Sequence, residues 1–203
     1  MAMDTSHHPL AALRDFYLER FRQSIAKATL ELDGIATELL IEIPSLPHSE
    51  YCYRLYRVDV IGQRDGVSQV REVTLSEGSQ ASNCQWAQSH NVKFAAPIVW
   101  YGIEFEVTGI CPHEELISWT SRWLDIEDER WVDSQEFQMV IHSVTPPTRT
   151  VNGFQISVDF GSAPLEAFDE LVQLLSKTAE LVSIGSFSLF NDETEISRDS
   201  PSP

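Results

Sequence analysis

Residues 103–112 read IEFEVTGICP, and residues 155–164 read QISVDFGSAP. In both stretches apolar and polar residues alternate, as in a half-buried strand, until a Gly-x-x-Pro corner breaks the pattern. Glycine lets the chain leave a strand at an unusual φ, and proline presets φ for the first helical turn. Each stretch therefore predicts a strand, a corner and a helix, and Gly161 follows Gly109 by 52 residues.

Each corner is followed by an amphipathic helix and another strand. The apolar helix positions correspond in order: Leu116, Trp119, Thr120 and Trp123 in the first helix, and Phe168, Leu171, Val172 and Leu175 in the second. The next strands are predicted at 137–141 and 181–187. This β-α-β-β-α-β order predicts a ferredoxin-like duplication within an α+β protein. Right-handed crossovers would place both helices on one face, leaving the other face solvated, covered by the N-terminal half, or buried in a homodimer.

The N-terminal half begins with a predicted helix and continues as strands. After Pro9, apolar residues recur at helical spacing: Leu10, Leu13, Phe16, Tyr17, Phe21, Ile25 and Ala28. From Thr29 the period changes to two, which predicts a strand over 30–43 with Glu38 on its polar face, then strands over 51–61 and 67–75. A phase switch near Leu55 indicates a β-bulge, and Asp65-Gly66 predicts a turn. The half is therefore expected to be one helix and an antiparallel β-meander.

Composition divides the chain into four segments. Residues 1–8 and the polar tail 191–203 are predicted to be disordered, because they lack the apolar residues needed to offset chain entropy. Residues 9–91 form the helix and meander, and residues 92–190 form the ferredoxin-like domain; one continuous fold is the alternative. The boundary falls in the long polar stretch 77–91, whose length is typical of functional or mobile loops.

Charge limits the classes of partner. The chain has 31 acidic and 14 basic residues and a formal net charge of −17, so nucleic acid and anionic membranes are not expected to bind. A basic protein partner fits this charge, and so does solubility alone, which is the favoured explanation because acidic surfaces are common. Three sparse cysteines, no signal-peptide pattern and no run near ~20 apolar residues predict a cytoplasmic protein.

Cys111, His113 and Glu114 form the candidate catalytic group. A helix N-terminus can lower a thiol pKa, and His113 and Glu114 add acid and base groups. The adjacent carboxylates would instead raise the thiol pKa, and Ala163 stands at the corresponding place in the second repeat. A structural role in the corner is therefore the favoured interpretation of Cys111.

The two corners are also the predicted ligand site if the protein is a small-ligand sensor. Duplicated β-α-β sheets can bind metabolites where loops and helix N-termini converge. The residues expected there are Gly109, Cys111 and His113 from the first corner and Gly161 and Ser162 from the second.

An acidic run after the first of these helices has the spacing of a calcium loop. Its acids occupy positions one, three, five, nine and twelve: Asp125, Glu127, Glu129, Asp133 and Glu136. Arg130 stands where that loop needs glycine, so a solvated acidic connection is favoured. His142 is predicted on the polar side of its strand without a second histidine at ligand spacing. No metal or other cofactor is expected.

The favoured function is a non-enzymatic protein-interaction module, such as an adaptor, an inhibitor or an immunity-type partner. It depends on the acidic charge, on the lack of a catalytic motif, and on Trp86 in the long polar loop, since exposed tryptophan is enriched at interfaces. The alternatives are the small-ligand sensor and a thiol- or metal-dependent enzyme.

Overall fold

The computed structural model describes residues 8–44, 46, 49–73, 90–94, 98–129 and 137–186. These residues form an α+β fold in which one helix precedes a small meander, and a mixed sheet with two helices follows. In chain order the elements are α1 (Ala11–Glu31), β1 (Asp33–Glu42), a 3₁₀ helix (Tyr51–Arg54), β2 (Leu55–Arg64), β3 (Val67–Arg71), β4 (Val92–Phe94), β5 (Ile103–Gly109), α2 (His113–Leu124), β6 (Ser143–Val144), β7 (Thr148–Arg149), β8 (Gly153–Asp159), α3 (Leu165–Ser176) and β9 (Ala179–Gly185).

The first helix buries one face, as its spacing predicts. Its buried residues are Leu13, Tyr17, Leu18, Phe21, Ile25 and Ala28. The helix extends to Glu31, so the expectation that a strand begins near Leu30 is wrong. Leu30 is 88% exposed on the last turn, because its side chain points away from the stripe that packs inward.

The three strands after α1 form an antiparallel sheet in the order β1-β2-β3. Asp65 and Gly66 have φ values of 54° and 75°, the left-handed pair that a tight hairpin turn requires. The predicted bulge near Leu55 is wrong, because a 3₁₀ helix precedes β2 and shifts the apolar phase there. Glu38, expected on the polar face, is fully buried at a φ of 53°. The last predicted strand residues, 74–75, lie outside the described part of the chain.

The second sheet has the strand order β4-β9-β5-β8-β6, and β7 also pairs with β8. The pairs β9-β5, β5-β8 and β8-β6 are antiparallel. Strand β4, which the pattern did not predict, pairs with β9 in parallel. The two helices pack against each other, since the indole of Trp119 donates to the carbonyl of Ala167 at 3.2 Å. Trp119 and Leu171 are both buried, as their corresponding positions predict.

The stretch 137–142 is not the strand that alternation predicts. Met139 has a φ of +61° and is 41% exposed, while Gln138, Val140 and His142 are buried. Ile141 is also fully buried, so the alternation of faces that the pattern predicts is lost across the left-handed backbone at Met139. Within residues 137–144, only Ser143–Val144 pairs with β8 as a strand.

The face of the second sheet opposite to its helices is polar. Its side chains include Glu104, Glu106, Thr108, Gln155 and Ser157, which are exposed or half-buried. The amide of Gln155 donates to the carboxylate of Glu104 at 2.9 Å, so neighbouring strands satisfy each other on this surface. This face therefore offers little apolar area among its described side chains.

Both halves contribute to one hydrophobic cluster. It joins Tyr17 and Phe21 of α1 to Phe105 of β5 and Ile156 of β8. The guanidinium of Arg14 also donates to the carbonyl of Ala163 at 2.7 Å, which ties α1 to the second corner. None of the described helices combines the length and the apolar character that crossing a bilayer requires.

Candidate functional site

A cleft of about 870 Å³ opens beside the first glycine corner. It lies between the 3₁₀ helix, the corner that joins β5 to α2, and the segment around β7. Its lining residues are Leu46, Ser49, Glu50, Tyr53, Gly109, Ile110, Cys111, His113, Pro146, Pro147, Arg149, Gly153 and Phe154. The volume falls within the ~300–1,000 Å³ that is usual for small-molecule sites.

Two glycines shape the wall of this cleft. Gly109 has a φ of +145°, and a Cβ there would lie 2.9 Å from the carbonyl oxygen of Thr178. Gly153, which pairs with Thr108, packs so closely against the backbone of Val107 that a Cβ would collide with it. At Gly109 the end of β5 approaches the start of β9, and at Gly153 the start of β8 approaches β5. Both approaches are possible only because glycine has no side chain.

Tyr53 provides an unsatisfied polar group in the cleft wall. Its side chain is 3% exposed, and its hydroxyl has no hydrogen-bond partner among the described residues. Burial raises the pKa of this phenol, and the nearby thiols of Cys52 and Cys111 and the carboxylate of Glu50 raise it further. A neutral hydroxyl left without a partner costs about 1–3 kcal/mol, which a bound polar atom would recover.

The candidate catalytic residues do not all face the cleft. Cys111 and His113 line it, and the imidazole Nε2 of His113 lies 3.8 Å from a carboxylate oxygen of Glu50. Glu114 instead lines a separate groove between α2 and α3. Burial raises the pKa of the Cys111 thiol, so at neutral pH the sulfur carries its proton and is a weak nucleophile.

The second corner does not join the first. The first corner follows β5 and the second follows β8. Because these strands are antiparallel, the corners at Gly109 and Gly161 lie at opposite ends of the sheet. Gly161 has a φ of +46° and packs against the ring of His142, and Ser162 is fully buried. The hydroxyl of Ser162 accepts from the amide of Val140 at 3.2 Å. The expected convergence of the two corners is therefore absent from the fold.

The acidic run serves a different purpose where it is described. Asp125 ends α2 at a φ of 54°, and its carboxylate lies 3.8 Å from the buried guanidinium of Arg57. The candidates Asp133 and Glu136, like Trp86, lie outside the described residues. Within the described ranges no group of three His, Cys, Asp or Glu side chains has the spacing of a metal site.

A buried cluster of charged side chains lies where α1, the meander and the second sheet meet. The imidazole of His142 contacts Glu38 Oε1 through Nε2 at 2.9 Å and Asp59 Oδ1 through Nδ1 at 3.0 Å. The hydroxyl of Tyr17 donates to Asp59 at 3.1 Å. Ionised carboxylates only accept hydrogen bonds, so a ring held between two charged acids carries protons on both nitrogens, which is the imidazolium form. His142 had been expected on a polar face, and no pattern in the sequence links it to residues so distant along the chain.

The pKa values in this cluster follow from burial and from charge. Burial alone would lower the pKa of His142, but hydrogen bonds to Asp59 and Glu38 outweigh it and raise the pKa well above its usual value. Burial raises the pKa of the neighbouring Asp159 to about 7, and its positively charged neighbour His142 only partly offsets this. The pKa of Asp59 is lowered despite its burial, because His142 and two further donors bond to it.

These shifts predict that the protein is most stable in mildly acidic solution. The native state holds the Asp159 proton up to about pH 7, whereas the unfolded chain releases it near pH 4, so stability falls as the pH rises between these values. Loss of the His142 proton acts in the same direction at higher pH. Below about pH 4, protonation of Asp59 destabilises the fold. We expect urea unfolding to show a loss of about 2 kcal/mol between about pH 5 and 7.5.

The variant Asp159→Asn is expected to flatten this decline, because asparagine can still accept from the amide of Gly161 but does not titrate. Asp15→Asn provides the control, since the Asp15 side chain is 75% exposed. An equally steep pH profile in Asp159→Asn and in the wild type would show that Asp159 does not cause the decline.

Comparison with known proteins adds no family to this geometry. No protein-family model matches the chain, and no curated protein or solved structure is significantly similar to it.

Proposed function

We propose that this protein is a non-enzymatic binding protein whose cleft beside the first glycine corner holds a small amphipathic molecule. The observation that carries the proposal is the pairing of a cleft of about 870 Å³ with a buried tyrosine hydroxyl that has no partner among the described residues. Ligand sites are typically apolar surfaces with a few placed polar groups. Tyr53 would supply such a group, while Leu46, Pro146, Pro147 and Phe154 supply the apolar wall.

A binding role is favoured over catalysis by the chemistry of the lining. The one thiol among the described lining residues, Cys111, has a raised pKa, so it is not activated as a nucleophile. His113 is paired with Glu50 at 3.8 Å, and Glu114 lines a different groove. Of the candidate catalytic group, Glu114 therefore lies on a different surface from Cys111 and His113.

The proposal is tested with N-phenyl-1-naphthylamine, an uncharged aromatic dye that fluoresces when it leaves water. Ile110→Asp places a charge in the apolar cleft, and we expect it to weaken dye binding at least about ten-fold. Val151→Asp is the matched control, because Val151 is 99% exposed, lies outside the cleft, and gains the same charge. Both positions are exposed, Ile110 at 81%, so both variants should fold. Equal dye binding by both variants, or no binding by the wild type, would refute a ligand site in the cleft.

The second candidate function is a protein-interaction module. Two observations favour it: the net charge of −17, and the strand β3, which ends the described meander sheet and exposes Val67 and Val70 at 59% and 52%. A basic extended segment could add beside such an edge strand. A peptide of alternating lysine and valine should then bind the wild type, and Val70→Lys should weaken that binding while Ile110→Asp leaves it unchanged. Unaltered peptide binding by Val70→Lys would exclude this edge as the site.

We also infer that residues 103–185 form the ferredoxin-like duplication that their pattern predicts. The support is the strand order β9-β5-β8-β6 with antiparallel pairs between them. If the four strands of the β-α-β-β-α-β plan are numbered along the chain, this order is 4-1-3-2. The mutual packing of α2 and α3 gives further support. The second strand of this plan is short, since only Ser143–Val144 pairs with β8.

A further inference from the structure

We propose that the cleft selects apolar molecules that carry one negative charge, and that Arg149 is the residue that recognises this charge. The inference rests on the proposed binding function and specifies the class of ligand. It concerns a carboxylate, sulfonate or similar anionic group attached to an apolar body.

Arg149 is a cation in the cleft wall without a counter-charge. It lies in β7 opposite Phe154 of β8, and its side chain is exposed. Within the described ranges no carboxylate lies within ion-pair distance of its guanidinium, and the guanidinium donates no hydrogen bond. The carboxylate of Glu50, which also lines the cleft, lies 3.8 Å from the imidazole of His113 and not within ion-pair distance of Arg149. The guanidinium of Arg149 is therefore a cation of the described lining without a paired carboxylate.

Ligand binding would make this unmatched charge costly unless the ligand is an anion. A molecule that fills the cleft removes water from the guanidinium, and a charge that loses water without a partner is strongly unfavourable. A carboxylate or sulfonate restores the lost hydrogen bonds in the planar, two-point geometry that arginine offers. A neutral ligand would leave the guanidinium without this compensation, and a cationic ligand would be repelled.

The net charge of −17 opposes anions only at long range. At an ionic strength of ~0.1 M, charges more than about 10 Å apart are largely screened. A direct contact with Arg149 is much shorter than this distance, so the local cation outweighs the distant acidic surface. Tyr53 lines the same cleft, and its hydroxyl, which can donate, has no partner among the described residues.

The experiment compares two dyes that share an aromatic body and differ in one charge. They are 8-anilinonaphthalene-1-sulfonate and the uncharged N-phenyl-1-naphthylamine. We expect the wild type to bind the sulfonate about ten-fold more tightly or better, since a charge-assisted hydrogen bond is stronger than a neutral one. Arg149→Gln should remove this preference by weakening sulfonate binding relative to binding of the neutral dye. Arg64→Gln, an exposed arginine outside the cleft, removes the same charge as a control.

The outcomes separate this inference from the function on which it rests. Equal affinities of the wild type for both dyes would overturn the role of Arg149, and so would an unchanged preference in Arg149→Gln. Binding of the neutral dye would in either case still support the cleft as a ligand site. A similar loss of preference in Arg64→Gln would attribute the effect to net charge and would also overturn it. Failure of the wild type to bind either dye would reject both proposals. Arg149 is exposed, so Arg149→Gln is expected to fold, and its melting curve checks this.

Discussion

Replacing His142 by glutamine is expected to lower the free energy of unfolding by about 3–5 kcal/mol. The imidazolium lies between the carboxylates of Glu38 and Asp59, at 2.9 Å and 3.0 Å, and all three side chains are nearly or fully buried. The β1–β2 register places these two acids opposite each other, where like charges repel. Glutamine can donate to one carboxylate, but it carries no charge, so one buried acid is left uncompensated.

The loss is measured by urea unfolding near pH 6. His90→Gln is the matched control, because His90 is exposed in the turn before β4. The double variant Glu38→Gln with His142→Gln should recover part of the loss, since it removes one of the two charges that the imidazolium had offset. A loss of unfolding free energy below about 1 kcal/mol in His142→Gln would contradict a charged imidazolium between the two acids. A double variant that loses more than the two single variants together would contradict it as well.

The elements that the sequence predicts well are those whose burial pattern is regular. α1 has one apolar stripe, β5 and β8 alternate strictly, and α2 and α3 follow Gly-x-x-Pro corners. In each of them the hydrophobic period is set by the geometry of that one element, so a local pattern is sufficient. These elements also contribute most of the shared core.

The buried charged cluster could not be predicted, because its contacts are not local. Glu38 and His142 are separated by 104 residues, and each is polar in a stretch where polarity indicates exposure. Left-handed backbone at Glu38 and Met139 breaks the alternation that assigns faces. A single residue with positive φ changes which side chains turn inward, and nothing in the residue types of Glu38 or Met139 indicates it.

The cleft was predictable in part. The sequence identifies Gly109, Cys111 and His113 as one corner, and the structure places all three in the lining. The expected contribution of Gly161 fails for a topological reason: the ends of neighbouring antiparallel strands point in opposite directions. Tyr53 and Arg149 come from segments without a motif, and only the tertiary fold brings them to the corner.

Arg57→Met is expected to destabilise the fold by about 3–5 kcal/mol as well, because Arg57 holds the end of α2 to the meander. The buried guanidinium donates to the carbonyls of Leu124 at 2.9 Å and Asp125 at 2.8 Å, which are acceptors that a helix C-terminus leaves unsatisfied. It also donates to the carbonyl of Glu38 at 2.7 Å and to the amide oxygen of Gln138 at 2.6 Å. Methionine fills much of the same space but donates no hydrogen bond, so all four acceptors lose this donor, and only the carbonyl of Asp125 keeps another one among those described, the amide of Asp128 at 2.9 Å.

Arg57→Lys and Arg64→Met separate the geometry of this contact from its charge and from general effects. Lysine keeps the charge, but its single ammonium cannot reach acceptors arranged around a planar fork, so we expect it to lose more than half of what methionine loses. Arg64 is exposed at the end of β2, and its replacement should change stability by less than about 0.5 kcal/mol. Wild-type stability of Arg57→Lys in urea unfolding would show that charge alone, and not the five-donor geometry, fastens α2 to the meander.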